Sequence, residues 1–268
     1  MASWKEELQS RMEKHAAGKE TSLLCFDIID STNEEAKRQG MTDAPEGLFV
    51  VADTQEKGRG RRGRSWESPG GENIYMSVLL RPSFGPEQAS MVTLVAALSV
   101  AKAIRLIAGL PAMIKWPNDI VIDGKKAVGI LTELTLKEGG IESLVCGIGI
   151  NVNQKEFPEE LKQTATSLCL EKGEQIDRTG LILAVMKTFW EDYRAFSGRG
   201  DLSSIREEYE ALLVNRDRQV RVLDPKGEYT GIAKGINEKG ELLVEKEDGQ
   251  VEAVYAGEVS VRGIYGYV

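Results

Sequence analysis

Between Pro86 and about Ala108 the segment PEQASMVTLVAALSVAKAIRLIA opens on a proline, places small and aliphatic residues at helical spacing, and contains no breaker. A helix this apolar has no face to give to water, so the rest of the chain must be built around it. The material lies on either side. LLCFDII, GLFVVADTQ and NIYMSVLLRP precede it as β-rich runs, the last ended by Pro82. AMIKWPNDIVI, an Asp123-Gly124 turn and KKAVGILTELTL follow as strands around a hairpin, and Gly139-Gly140 leads into the strand IESLVCGIGINV. Shorter helices complete the set. SWKEELQSRM carries the capping-box pair Ser3 and Glu6 with Trp4, Leu8 and Met12 on one face, and DSTNEEAKRQG repeats the box as Ser31 and Glu34, with Gly40 as its stop. Residues 177 to 213 add two more helical patterns.

From Asn215 onward the texture changes. Short runs (QVRVL, EYTGIAKGI, ELLVEK, QVEAVY, VSVRGIYGYV) alternate with Pro-Gly, Lys-Gly and Asp-Gly turn signals, the pattern of a small β-barrel. With 268 residues, 41% of them apolar, the chain can fill one sizeable core and a small second domain. The expected division is an N-terminal helical extension over 1–20, a main domain over 21–214 and a barrel over 215–268. A formal net charge of −8 argues against a protein that coats nucleic acid. Cys25, Cys146 and Cys169 are odd in number, lack CxxC spacing and read as reduced core thiols. No signal peptide is legible, and no apolar run approaches the ~20 residues that span a bilayer. A cytoplasmic protein without a membrane partner is expected.

Against that acidic background, KGRGRRGRSW (57–66) packs five cations and three glycines into ten residues. Glycines let backbone amides approach phosphate oxygens, and interleaved arginines add charge-assisted, often bidentate bonds to the same oxygens. The loop fits an anion clamp. It is neither a Walker A loop, since no GK[ST] follows, nor a dinucleotide fingerprint, since arginines stand where the helix should begin. A solvated basic loop that touches RNA is the alternative. In KWPNDIVIDGKKAVGIL (115–131), Asn118 and Asp119 offer short oxygen side chains after a rigid proline, suited to a Mg²⁺–phosphate cluster, and Lys126 follows across the hairpin. Taken singly, Asn118 and Asp119 also read as turn residues, Lys126 as a solvated cation, and Asn151 as a satisfied buried amide.

Taken in order, DSTN, TQEKGRGRRGRSW, KWPNDI, KAVGILTE and GIGINVN resemble the motifs of the biotin protein ligases, over a stretch from about residue 21 to the C-terminus. The resemblance implies an α/β (α+β) catalytic domain on a mixed central sheet, similar to class II aminoacyl-tRNA synthetases, followed by an SH3-like barrel. It implies a reaction in which biotin's carboxylate attacks the α-phosphorus of MgATP, giving biotinyl-5′-AMP, before a lysine of a biotin carboxyl carrier protein takes the acyl group. Biotin is then a substrate, ATP and Mg²⁺ are required, and a homodimer is common in the family.

By the same resemblance, Ser31, Thr32, Asn33 and Gln55 hold biotin's head group and carboxylate region. Gly58, Arg59, Gly60 and Arg61 line the biotin and phosphate region, and Gly129, Gly147 and Ile150 form wall. Lys126 carries charge to the reacting carboxylate and α-phosphate, with Arg61 and Asp119 as catalytic partners and Asp119 as the Mg²⁺ ligand. Arg62, Arg64, Asn118, Asp119 and Asn151 belong to the ATP side, where Trp66 is either a stacking surface for adenine or a core tryptophan. His15, outside every motif, makes general-base chemistry at an imidazole unexpected. Family members that also repress transcription carry a winged helix-turn-helix ahead of the ligase domain. Only about twenty residues precede TSLLCFDIIDSTN, so the monofunctional form, with no DNA partner, is expected. A lipoate or octanoate ligase shares the fold and the adenylate logic and stands as the alternative.

Overall fold

In a computed structural model, residues 3–14, 21–224, 227–256, 260–263 and 267–268 are described, with side chains at all of these except Arg62, Ser260 and Arg262. His15 and most of the expected helical extension's second half lie outside them.

Helix α1 (Trp4–Lys14) opens on the predicted reciprocal cap, Ser3 N donating to Glu6 Oε2 at 2.7 Å and Glu6 N to Ser3 Oγ at 3.3 Å. β1 (Ser22–Ile29), α2 (Thr32–Gly40), β2 (Leu48–Gln55) and β3 (Ile74–Leu80) precede the long helix α3 (Ala89–Ala108). β4 (Met113–Lys115), β5 (Asp119–Ile122), β6 (Lys125–Lys137) and β7 (Gly140–Ile150) follow it. The seven strands form one sheet in the order β1-β2-β3-β7-β6-β5-β4, parallel between β1 and β2 and antiparallel elsewhere. That is the mixed sheet.

α3 lies on one face of this sheet with α5 (Arg178–Ser197) and the shorter α6 (Arg206–Leu212), and the main core fills the space between. By length and composition α3 qualifies as a membrane span, contrary to the reading that no apolar run comes near that length, but most of its surface is buried in this core. A five-residue helix, α4 (Leu168–Lys172), capped by Ser167, has no counterpart in the sequence reading. On the other face α2 covers only part of the sheet, over a small cluster of Ala36, Leu48, Val50, Leu79 and Val145. The remainder of that face is where the motif residues converge.

Two local expectations change. Ser31 occupies the N-cap position of α2 but makes no side-chain cap bond, and the reciprocal bond is replaced too, Ser31 N donating to Asp30 Oδ1 at 2.7 Å while the Glu34 carboxylate pairs with Lys37 and Arg59. Gly40 is helical rather than a left-handed stop; a Cβ there would come 2.9 Å from Ser143 Oγ, so close approach requires the glycine.

β8 (Gln219–Asp224), β9 (Gly227–Ile236), β10 (Leu242–Glu245), β11 (Val251–Val254) and β12 (Ser260–Gly263) make a second, antiparallel sheet in the order β11-β10-β9-β8-β12. Val220, Val222, Ala233, Ile236, Leu242, Val244, Val254 and Val261 are buried within it. The KWPND turn fastens this sheet to the first. Trp116, 1% exposed, donates from Nε1 to Gly240 O at 3.0 Å and from its backbone to Asn215 Oδ1 at 2.9 Å.

Candidate active site

On the open face of the sheet, neighbouring strands lack side chains at matched positions. Gly129 of β6 pairs with Gly149 of β7, and Gly147 pairs with Leu131 and Ser77. The glycines leave a trough, and Trp66 lies in it: a Cβ on Gly149 would sit 3.0 Å from the indole nitrogen, and one on Gly129 2.9 Å from Cζ3. The indole N–H is buried without a hydrogen-bond partner. The resulting cleft of about 480 Å³, open mouth included, is bounded by Ser31, Thr32, Asn33, Gln55, Arg59, Gly60, Arg61, Asn118, Lys126 and the glycine strands.

One end is a continuous polar network. Thr32 donates from N and Oγ1 to Gln55 Oε1 at 2.9 and 3.1 Å, and Gln55 Nε2 donates to Ser68 Oγ at 3.0 Å. Ser77, fully buried in β3, donates to Asn33 Oδ1 at 2.6 Å and lies 2.8 Å from Thr32 Oγ1. Asn33 Nδ2 donates to Glu133 Oε2 at 2.7 Å, and Lys37 Nζ pairs with the other carboxylate oxygen at 2.6 Å. Burial would raise the Glu133 carboxyl, but hydrogen bonds from Lys37 and Asn33 and the charge of Arg59 outweigh it and hold the group below the usual carboxylate range. Ser68, Ser77 and Glu133 were not singled out in the sequence. A serine inside the apolar run NIYMSVLL, and the acid that closes KAVGILTE, were the available signals.

The other end is the β5–β6 hairpin. Lys126 and Gly129 would face opposite sides of a regular strand. The pairing of β5 jumps from Val128 to Lys126, leaving Ala127 as a bulge that returns both to the cleft face. Lys126 Nζ then lies 2.6 Å from Asp119 Oδ1 as an ion pair, off the line of a hydrogen bond, and 5.2 Å from the Trp66 ring centroid. Asn118 Nδ2 donates to Ile130 O at 3.1 Å, while its Oδ1 accepts from Arg61 Nη1 at 2.8 Å.

Glycine and arginine content suggests a slack loop; the structure shows a folded one. Gly60 N donates to Arg64 O at 2.7 Å, Trp66 N to Gly58 O at 2.9 Å, and Arg59 and Ser65 form a bridge around a turn at Arg61–Gly63. Arg59 pairs with Glu34 and Glu133 at the polar end. Arg61 reaches Asn118 at the other and donates to Ala256 O of the second domain at 2.8 Å. The loop therefore spans the cleft from rim to rim.

Several predicted residues lie elsewhere. Gly58 shapes the loop, where a Cβ would collide with Trp66 O at 2.2 Å. Arg64 is exposed outside the cleft, and the side chain of Arg62 is outside the described residues. Ile150 is fully buried among the core residues of the helical face, opposite Gly147 and Gly149. Asn151 is buried with its amide donating to Thr166 O at 3.0 Å. No cysteine borders the cleft, and burial pushes the thiols of Cys25 and Cys146 up to about 11 and about 12, away from nucleophilic use.

Residues 25–151 match the Biotin/lipoate A/B protein ligase family, and residues 217–262 match the Biotin protein ligase C terminal domain. The chain is 42% identical over 243 residues to the bifunctional ligase/repressor BirA of Bacillus spizizenii, covering 89% of this chain and 74% of that one. It is 31% identical to the biotin–[acetyl-CoA-carboxylase] ligase of Paracoccus denitrificans, covering 87% of this chain and 98% of the relative. Among solved structures, the biotin protein ligase of Aquifex aeolicus in complex with biotin and ATP aligns with a TM-score of 0.79 at 36% identity, over 90% of this chain and 99% of that one.

Proposed function

The chain belongs to the biotin protein ligase family, and from that premise we propose how its residues share an ATP-dependent ligation of biotin to protein. In the first step a carboxylate oxygen of biotin attacks the α-phosphorus of ATP; the bond to the β-phosphate breaks, and pyrophosphate leaves. In the second, the amine of a lysine on a biotin carboxyl carrier protein attacks the acyl carbon, AMP departs, and the amine loses a proton.

The observation that carries the proposal is the convergence, in one cleft, of a polar end, a glycine floor and a cationic end. Ser31, Thr32, Asn33 and Gln55 offer donors and acceptors for a cyclic urea and its neighbouring carboxylate, and Ser77 and Glu133 fix their orientation from below. Gly129 and Gly149 seat the indole of Trp66 against the sheet and Gly147 makes room for the Asn33 amide, and the outer face of that indole is offered to the adenine. Lys126 reaches the point where negative charge gathers on the α-phosphate, and Arg59 and Arg61 close over the anion. Lysine and arginine charges suffice for such stabilisation, with no imidazole or thiol needed.

Mg²⁺ would supply charge neutralisation and phosphate orientation. Among the described residues no group of three or more His, Cys, Asp or Glu could cage a metal. Magnesium bound through one carboxylate plus substrate phosphates would take Asp119 Oδ1, which carries no hydrogen bond but is ion-paired with Lys126 at 2.6 Å, so that metal and ammonium would share or exchange that oxygen. Asp119 and Asn118 are the residues that would hold it.

The test is mass spectrometry of the protein after incubation with biotin and MgATP, together with pyrophosphate exchange driven by biotin, lipoate or octanoate. Bound biotinyl-AMP and biotin-dependent exchange are expected. Exchange with lipoate or octanoate and none with biotin would overturn the reading.

A further inference from the structure

Past β12, residues 267–268 return to the main domain. Tyr267 donates from its hydroxyl to Asp119 Oδ2 at 2.5 Å, the length of a charge-assisted O–H···O⁻ bond. Its ring lies beneath the ammonium of Lys115, 3.3 Å from Nζ to the centroid. Lys115 is buried, and it pairs with Asp119 in the ladder between β4 and β5. Val268 packs at the following turn, its Cγ2 3.5 Å from where a Cβ of Gly124 would be. A tyrosine from beyond the second sheet thus touches both strands that flank the Asn118–Asp119 turn.

The two oxygens of Asp119 have different partners, Oδ2 the tyrosine and Oδ1 the Lys126 ammonium at 2.6 Å. The terminal torsion of an aspartate is broad, so a carboxylate held at one oxygen can swing. Fastening Oδ2 fixes the carboxylate plane and with it the place where Oδ1 holds Nζ. We infer that Tyr267 is a positioning residue for adenylation: acting through Asp119, it sets the location of the Lys126 ammonium, so that the segment following the barrel completes the active site. The inference rests on the reading of Asp119 and Lys126 as the adenylation pair.

Tyr267→Phe keeps the ring under Lys115 and removes only the donor. In the full chain it should lower kcat for biotin-dependent pyrophosphate exchange about tenfold, the loss of one hydrogen bond to a charged group. The KM for biotin, and transfer to a carrier protein from supplied biotinyl-AMP, should stay within about twofold, because neither involves Asp119. In an Asp119→Asn background the same substitution should cost less than about twofold, since coupled residues are not additive. Undiminished exchange in Tyr267→Phe, an equal fall in exchange and transfer, or a full loss retained beside Asp119→Asn would each overturn the inference. If Asp119→Asn and Lys126→Ala themselves exchange normally, the pair reading fails and takes the inference with it. Loss in those two but not in Tyr267→Phe sinks the inference alone.

Discussion

Gly147→Ala tests whether the floor of the cleft is built to the tolerance the geometry implies. Gly147 has no left-handed backbone to protect, so the residue is required only for space. A Cβ there would lie 2.0 Å from Asn33 Oδ1 and 2.7 Å from its Cγ, where ordinary contact begins near 3.4 Å. The amide must move by more than an ångström. It is tied at both ends, to Ser77 at 2.6 Å and to the Glu133 carboxylate at 2.7 Å, so moving it sacrifices one neutral and one charge-assisted bond. Together these are worth about 2–4 kcal/mol. For a domain of this size that corresponds to a fall in Tm of roughly 5–15 °C by differential scanning fluorimetry. Biotin affinity by calorimetry, without ATP, should fall about tenfold or more, because the polar end is displaced. Gly149→Ala is the control, since the atoms nearest its Cβ, from 3.0 Å, belong to Trp66 and not to the polar end. Adding Asn33→Ala to Gly147→Ala should lower the Tm little further, because the same two bonds are already lost, and should not restore biotin binding. Normal stability and biotin affinity in Gly147→Ala would refute the account of the floor.

Lys126→Ala should reduce pyrophosphate exchange on the order of 10² or more while changing biotin affinity far less, as befits a charge that matters most in the transition state; near-normal exchange would remove Lys126 from the chemistry. Arg61→Gly severs the bonds to Asn118 and Ala256, so biotinyl-AMP should escape and biotin appear on an unrelated protein added to the assay; labelling confined to the carrier would mean that Arg61 does not retain the intermediate. Glu133, a carboxyl whose folded value is lowered, stabilises the folded state above its unfolded value of about 4.3 and loses that contribution as pH falls through the folded value. The Tm gap between wild type and Glu133→Gln should therefore be full at neutral pH, begin to narrow as pH falls past the unfolded value of about 4.3 and close below the lowered folded value, and a gap that persists in strong acid would show that the charge is not what Lys37, Asn33 and Arg59 hold.

Strand runs, the first helix with its cap, the buried helix and the change of texture near residue 215 were legible because each is written in local periodicity. The faces were harder. In GIGINVN, Gly147 and Ile150 are three apart, so in one strand they cannot share a face, and strict alternation already separates them; the structure puts Gly147 and Gly149 on the cleft and Ile150 among the helices. For Lys126 and Gly129 the same rule misleads, because the Ala127 bulge was not signalled. Ser77 and Glu133 were hidden for another reason. Their value depends on β3, β7 and β6 lying side by side under α2, a non-local order that no short window contains.

The described cations of the cleft already have partners on its rim. Arg59 is held by Glu34 and Glu133, Arg61 by Asn118 and a carbonyl of the second domain, and Lys126 by Asp119. Half-exposed pairs such as those of Arg59 contribute little, about 0–1 kcal/mol each, so exchanging them for a ligand oxygen costs little. The gain on the other side is larger, because a phosphate can take several charge-assisted bonds at once. Biotin offers this set its carboxylate, whereas in the adenylate that charge is consumed in the anhydride and the phosphate carries a single negative charge in its place. The loop is thus folded across the cleft by its own backbone bonds, and its weak rim partners leave its cations exchangeable for an anionic ligand.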